Sequence, residues 1–333
     1  MTSPATKPQD REAPRMTERT TPQFLGFTPA RAAFFLVFAA VVALSPLVLY
    51  PIFLMKIYCF IIFACAYNLL LGYTGLMSFG HAAFFGAGAY LCGHAAARWG
   101  LSPELAVLSG TVFAGLLGLV FGWIAIRRQG LSFAMITLAL AQMMYFIALK
   151  VPFTGGEDGI QGVPRGHLFG IIDLSSNTAL YWTLAVIVLA VVALYNRIVH
   201  SPFGQVLRAI RNNPERARSL GVNVDRFKLV SFVISAAMSG FAASLKTVVF
   251  GIASLTDISV NVSTEVVLIN LVGGIGTIFG PVAGSYIILS LEHFLSPYGP
   301  WLLLIQGLVF IMFVLVFRQG VVGGLQKKLK SHL

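Results

Sequence analysis

Asn68-Leu69-Leu70-Leu71-Gly72-Tyr73-Thr74-Gly75-Leu76-Met77-Ser78-Phe79-Gly80-His81, running on through Gly86, Gly88 and Tyr90, is an apolar stretch punctured by glycines. A second stretch shares a loose pattern with it: Gly273-Gly274-Ile275-Gly276-Thr277-Ile278-Phe279-Gly280-Pro281, then Gly284 and Tyr286. In both, Phe-Gly is followed by small residues and then by Gly-Ala-Tyr or Gly-Ser-Tyr. Glycine breaks a helix, and broken backbone at membrane depth survives only where protein or a water-filled cavity covers it. Broken segments in corresponding positions point to a transport path. Close helix packing through small residues is the plainer reading of any single glycine.

The composition around these stretches is that of a membrane protein. Of 333 residues, 57% are hydrophobic and 11% charged, against roughly 25% charged in a soluble domain. Too little charge is present to cover a water-facing surface, which excludes a soluble enzyme, a disordered chain and a collagen-like fibre. The three cysteines, Cys59, Cys65 and Cys92, lie in apolar runs and imply neither a disulfide framework nor a zinc site.

Apolar runs long enough to cross about 30 Å of hydrocarbon follow one another. They cover 32–50, 51–71, 73–97, 105–126, 131–149, 179–195, 229–250, 265–295 and 301–317. The expected fold is all-α: a polytopic integral membrane helical bundle of about nine or ten segments, some of them glycine-broken half-helices. Residues 1–31 read as a disordered basic cytoplasmic tail, 32–317 as the transmembrane domain and 318–333 as a second basic cytoplasmic tail.

Charge sets the expected topology. The net charge of +11 reflects basic residues gathered in cytoplasmic loops rather than nucleic-acid binding. With the N-terminus inside, the loop 150–178 falls outside and carries Lys150 and Arg165 against Glu157, Asp158 and Asp173. The segment 196–228 falls inside and carries Arg197, Arg208, Arg211, Arg216, Arg218, Arg226 and Lys228 against Glu215 and Asp225. The basic C-terminus reaches the inside only if 265–295 enters and leaves on one side, as two half-helices broken near Gly273. Candidate path residues are therefore Gly72, Gly75, Ser78, Gly80, His81 and Gly86 in the first stretch, and Gly273, Gly274, Gly276, Thr277 and Gly280 in the second.

The segment 196–228 predicts two short helices. Val206, Leu207 and Ile210 share a helical face after Phe203, Asn213 caps a second helix opened by Pro214, and Gly221 stops it. Ala217, Leu220 and Gly221 beside Arg208, Arg211, Arg216 and Arg218 suit docking to a cytoplasmic partner, or an ordinary basic loop on anionic lipid.

Lys56, Asn68, His81, His94, Gln142, Lys246, Asn270 and Glu292 lie in or near the apolar runs. Most are within snorkelling reach of a span end. His81 is read as a hydrogen-bonded structural histidine or as a gating residue, and Glu292 as the one fair candidate for an ion-coupled acid. No phosphate-cradling G-x-x-x-x-G-K-[ST] is present, so any ATP is bound by another subunit.

Four blocks taken together resemble the permease subunits of branched-chain amino-acid ABC importers, the LivM-like half. They are Asn68 to Gly86, Thr154-Gly155-Gly156 with Asp158-Gly159, Leu207 to Val224, and Gly273 to Pro281. The resemblance implies a second, LivH-like permease, two cytoplasmic ATPases, a periplasmic binding protein and an inner-membrane location with both termini cytoplasmic. It implies no catalysis, cofactor or metal in this chain. It also implies that Arg208, Arg211, Glu215, Ala217, Leu220 and Gly221 meet the ATPase, although Arg216 and Arg218 stand where the family usually has small or acidic residues. The family's solutes include leucine, isoleucine and valine, but also urea, amides and aromatic acids. The rival reading, from the residues alone, is an ion-coupled carrier or facilitator.

Overall fold

A computed structural model describes residues 29–47, 49–168, 170, 172–299, 301–316 and 320–329. The expectations for most of 1–31 and for parts of 318–333 lie outside the described residues. Thirteen α-helices are described. They are α1 (Pro29–Leu44), α2 (Pro51–Asn68), α3 (His81–Ala97), α4 (Pro103–Ala125), α5 (Leu131–Lys150), α6 (Asn177–His200), α7 (Pro202–Asn212), α8 (Pro214–Ser219), α9 (Val224–Phe250), α10 (Val260–Gly273), α11 (Gly280–Leu295), α12 (Trp301–Val316) and α13 (Gly320–Leu329). Five of these elements are long and apolar enough to cross a membrane: α2 with the turn that follows it, α4, α5, α6 and α9.

Local chemistry sets the helix boundaries. Proline occupies the first turn of α2, α4, α7 and α8, where its missing N–H is not needed. Ser201, Asn213 and Asn223 cap α7, α8 and α9 by accepting from the N–H groups of Gly204, Arg216 and Arg226. Gly221 follows α8 with φ of 85°, as the stop signal predicts.

Helix α2 is hydrophobic all round and forms the centre of the bundle. Every residue from Phe53 to Asn68 is buried except Lys56. Helices α3, α4 and α9 meet along a seam of small residues. A Cβ on Gly88 would lie 2.6 Å from the Gly240 Cα, and one on Gly240 would lie 3.1 Å from the Gly110 carbonyl oxygen. Ser244 Oγ of α9 donates across the same seam to the Gly88 carbonyl (3.2 Å) and also back to the Gly240 carbonyl of its own helix (2.8 Å). The backbones approach here because no side chain separates them.

Two ends of the bundle are distinct. One carries α7 and α8. The other carries 150–178, where the short strand Ile160–Gln161 pairs antiparallel with Ile252–Ala253 and Arg165 donates to the Val249 carbonyl at 2.9 Å. Helices α10 and α11 form a hairpin that starts and finishes at this second end. Their reversal, 274–279, lies deep in the bundle, beside Gly72 and Arg211. The parity of basic charge calls for this reversal. Within the basic stretch after 317, α13 packs on α10 and α11, with Gly320 close against Gly274.

Candidate functional site

The first glycine stretch does not form one long helix. After Asn68 the helix widens into a π-type turn over Leu69–Thr74 and ends at Gly75, with φ of 77°. The chain is irregular from Gly75 to Gly80, and α3 begins only at His81, later than the run 73–97 predicts. Thr74 Oγ1 donates to the Leu69 carbonyl at 3.3 Å and lies 2.8 Å from Ser231 Oγ, and Ser78 Oγ accepts from Gly80 N at 3.2 Å, so side chains satisfy part of the broken backbone. A Cβ on Gly80 would lie 2.5 Å from the Thr137 carbonyl oxygen of α5, and one on Gly86 would lie 2.5 Å from Ile258.

In the second stretch, Gly274 and Gly276 adopt φ of 120° and 76°, a path open to glycine. Thr277 Oγ1 donates to the Gly274 carbonyl at 2.8 Å and closes the turn, and Gly280 opens α11.

The two stretches touch. Fully buried Asn68 donates from Nδ2 to the Thr277 carbonyl (2.7 Å) and to Tyr195 Oη (2.9 Å), while its Oδ1 accepts from Gly276 N (2.9 Å). A Cβ on Gly72 would lie 2.7 Å from Gly276 N. Asn68 is thus a clamp between α2 and the hairpin turn, not a snorkelling group. Arg211 reaches the same place from α7. Its Nη1 donates to the Gly72 carbonyl and stands 3.0 Å from where a Gly276 Cβ would be.

His81 is completely buried and lies away from this junction, in the packing between α2, α3 and α9. Its Nε2 is 2.8 Å from Ser235 Oγ, which donates to the Ala66 carbonyl, and the rings of Tyr67 and Phe84 stand edge-on at 5.0 and 5.6 Å. Its Nδ1 has no hydrogen-bond partner.

The predicted docking residues divide. Arg208 lies over the Tyr73 ring at 5.1 Å and donates to the Val199 carbonyl at 3.2 Å, bracing the first break. Ala217 is buried with Ile210 and Val224 in a small core between α7, α8 and α9. Glu215 pairs with Arg218 at 2.8 Å, and Arg218 reaches Asp225 at 3.4 Å. Leu220 is 77% exposed at the tip, next to the open Gly221.

Sequence reasoning passed over two acids. Asp257 is buried and paired with Lys246, and Glu265 stands against Glu292 near Lys56. In the sequence Glu265 marks only the boundary of an apolar run, and Asp257 falls in a polar link. The signal available was a carboxylate at the end of an apolar run, in a chain whose other apolar runs carry lysines. A groove of about 810 Å³ between α4, α6 and α9 is lined by apolar side chains such as Val107, Trp182, Ile187 and Phe241, and offers a zwitterion almost nothing polar. Among the described residues no group of three or more His, Cys, Asp or Glu could hold a metal.

Apolar spans, a hairpin that turns back within the bundle and a basic surface helix touching that turn define a multi-pass membrane permease. Residues 49–317 match the family described as "Branched-chain amino acid transport system / permease component", and the chain belongs to it. It is 26% identical over 294 residues to the high-affinity branched-chain amino acid transport system permease protein LivM of Escherichia coli K12, covering 81% of this chain and 69% of that protein. It is 27% identical over 280 residues to the corresponding LivH of Salmonella typhimurium, covering 78% and 90%. It is also similar to the autoinducer 2 import system permease protein LsrC of Yersinia pseudotuberculosis, 28% over 206 residues, covering 59% and 56%. No solved structure matches.

Proposed function

We propose that this chain is one permease subunit of an ATP-driven ABC importer that moves branched-chain or related amino acids across the bacterial inner membrane. About nine or ten membrane segments, counting the two arms of the hairpin, would leave both termini in the cytoplasm. A LivH-like permease would complete the channel, two cytoplasmic ATPases would bind the nucleotide, and a periplasmic binding protein would deliver the solute. Lipid covers the outer helices, and the chain itself performs no covalent chemistry and holds no cofactor.

The observation that carries this reading is the meeting of three elements at Arg211. The helix expected to face the ATPases, the first glycine break and the hairpin turn all converge there. A displacement of α7 and α8 on ATP binding would pass through Arg211 to Gly72 and the 274–279 turn and reshape the inner mouth of the path. The work required is modest: a thousandfold solute gradient corresponds to about 4 kcal/mol.

The test is uptake of labelled leucine by cells expressing this chain with its partner subunits, under ATP depletion or under collapse of ion gradients. Loss with ATP depletion alone supports the importer. Loss with gradient collapse alone overturns it in favour of a carrier.

A further inference from the structure

The groove between α4, α6 and α9 is a gap in the bundle. Helix α6 packs on α2 and α7 and stands off from α4 and α9, leaving about 810 Å³ between them. The wall runs from Pro103 to Thr111 on α4, from Leu180 to Ile187 on α6 and from Phe241 to Val249 on α9. Helices α4 and α6 start, and α9 finishes, at the end of the bundle that carries 150–178. At 1.5 Å per residue the groove therefore reaches about 12–15 Å in from that end. Half of a hydrocarbon core of about 30 Å is the same depth, one leaflet.

The wall has nothing to offer a polar solute. The hydroxyls of Thr111 and Thr183 donate to the Val107 and Ala179 carbonyls of their own helices, at 2.7 and 2.8 Å. The groove also opens sideways, since Leu108 is 57% and Val186 66% exposed. An apolar slot open to hydrocarbon and one leaflet deep takes an acyl chain. A whole helix would run on past the middle of the membrane, where the slot has ended.

The rim supplies a place for a head. Arg165 is held there by neutral acceptors: the Val249 carbonyl at 2.9 Å, Asn177 Oδ1 at 2.8 Å and the Ser175 carbonyl at 3.4 Å. Val249 lines the groove, as does Leu174 beside Ser175, and a Cβ on Gly166 would lie 2.9 Å from the Pro103 ring. The guanidinium thus sits at the mouth, and among the described residues no carboxylate pairs with it. Asn177 is the first residue of α6, so the positive end of a 24-residue helix faces the same place. Glu104, in the first turn of α4, also belongs to the rim. Trp182, on the groove wall one turn further in, has the amphipathic ring that favours the membrane interface.

We infer that the groove holds one acyl chain of a phospholipid from the adjoining leaflet, with its phosphate on Arg165 and an ethanolamine ammonium toward Glu104. The chain fills the space between α6 and the α4–α9 pair, so the lipid is a packing element of the bundle. Arg165 ties the end of α9 to the start of α6, and the head and the tail lie across that one joint. The inference requires only that the chain spans a membrane, and it stands whether or not the chain belongs to an importer.

The test is native mass spectrometry of the full chain, purified in detergent and titrated with palmitoyl-oleoyl-phosphatidylethanolamine, with the matching phosphatidylglycerol, or with glycerophosphoethanolamine, which is the head without its chains. One phosphatidylethanolamine should stay bound at collision energies that strip the rest, and should raise Tm in detergent by about 2 °C at tenfold excess over Kd. Phosphatidylglycerol should be held at least fivefold more weakly, and the head alone should have no effect. Arg165→Gln keeps a donor for the Val249 carbonyl and loses the charge, and should lower occupancy at least fivefold. Val107→Trp puts a ring into the groove and should exclude the lipid from a folded chain, so it serves as the second variant if Arg165→Gln does not fold. No retained lipid, equal retention of phosphatidylglycerol, saturable binding of the head alone, or unchanged retention in both variants would each overturn the site. Loss of a co-expressed partner permease from Val107→Trp, with retained lipid unchanged, would overturn it in favour of a helix–helix interface.

Discussion

Replacing Asn68 with leucine tests the junction on which the proposed mechanism turns. The side chain is fully buried and makes three hydrogen bonds, to Tyr195 Oη, the Thr277 carbonyl and Gly276 N, at 2.9, 2.7 and 2.9 Å. Leucine has a similar branched shape but greater bulk, and it makes none of them. At the ~0.6 kcal/mol typical of a side-chain hydrogen bond between membrane helices, the loss is about 2 kcal/mol. Orphaning the three partners weighs more, at ~1–3 kcal/mol each where no water replaces the bond. Water at the hairpin turn relieves part of this, so we expect about 3 kcal/mol and, at ~2.1 cal/mol/K per residue over 333 residues, a fall in Tm of about 4 °C. Transport should fall further than stability predicts, because the turn at 274–279 loses its tie to α2. Asn68→Asp should not rescue it, since aspartate keeps the acceptor for Gly276 N but sets a carboxylate oxygen against the Thr277 carbonyl. The assay is paired: thermal unfolding in detergent, and leucine uptake per ATP hydrolysed in proteoliposomes. A leucine variant with Tm within a degree of wild type and undiminished uptake would refute the reasoning.

Three further outcomes follow from the same contacts. Gly88→Leu drives a side chain into the α9 backbone, where even a Cβ meets the Gly240 Cα at 2.6 Å; overpacking of about 3 kcal/mol or more should abolish folded protein on size-exclusion chromatography, whereas Gly307→Ala, in α12 with open space around it, should not. Leu220→Asp alters only an exposed tip, so the isolated chain should keep its Tm while co-purification of the ATPase subunits drops at least fivefold. Arg211→Ala should leave ATPase binding intact and raise the ATP hydrolysed per leucine moved, with Arg211→Lys restoring part of the coupling, and an unchanged ratio would remove Arg211 from the mechanism.

The helices were legible because each apolar run is about as long as the membrane is thick, and their ends were legible because proline, asparagine and glycine act within a few residues. Asn213, Pro214 and Gly221 bound α8 as their cap and stop chemistry requires. The hairpin was expected only indirectly, from placing the basic C-terminal residues on the same side as 196–228, and the structure has the reversal at 274–279. What sequence could not supply was contact across long separations. Asn68 and Gly276 are 208 positions apart, and nothing local marks Asn68 as a clamp rather than a polar residue near a helix end. Glu265 and Asp257 were missed for the same reason, because their meaning lies in Lys56, Lys246 and Glu292 on other helices. His81 stands out in sequence by following a break, yet its ring packs away from the junction of the two breaks.

The glycine seam between α3, α4 and α9 has a mechanical consequence. Side chains that interdigitate can slide by changing rotamer, but backbones in direct contact cannot. Close backbone contact favours these three helices moving as one body, so in the proposed importer the α10–α11 arm, joined to them through hydrogen bonds and turns, would carry the change between inward and outward access. Cysteine pairs bridging α4 to α9 should leave transport untouched, while one bridging α2 to α10 should freeze it.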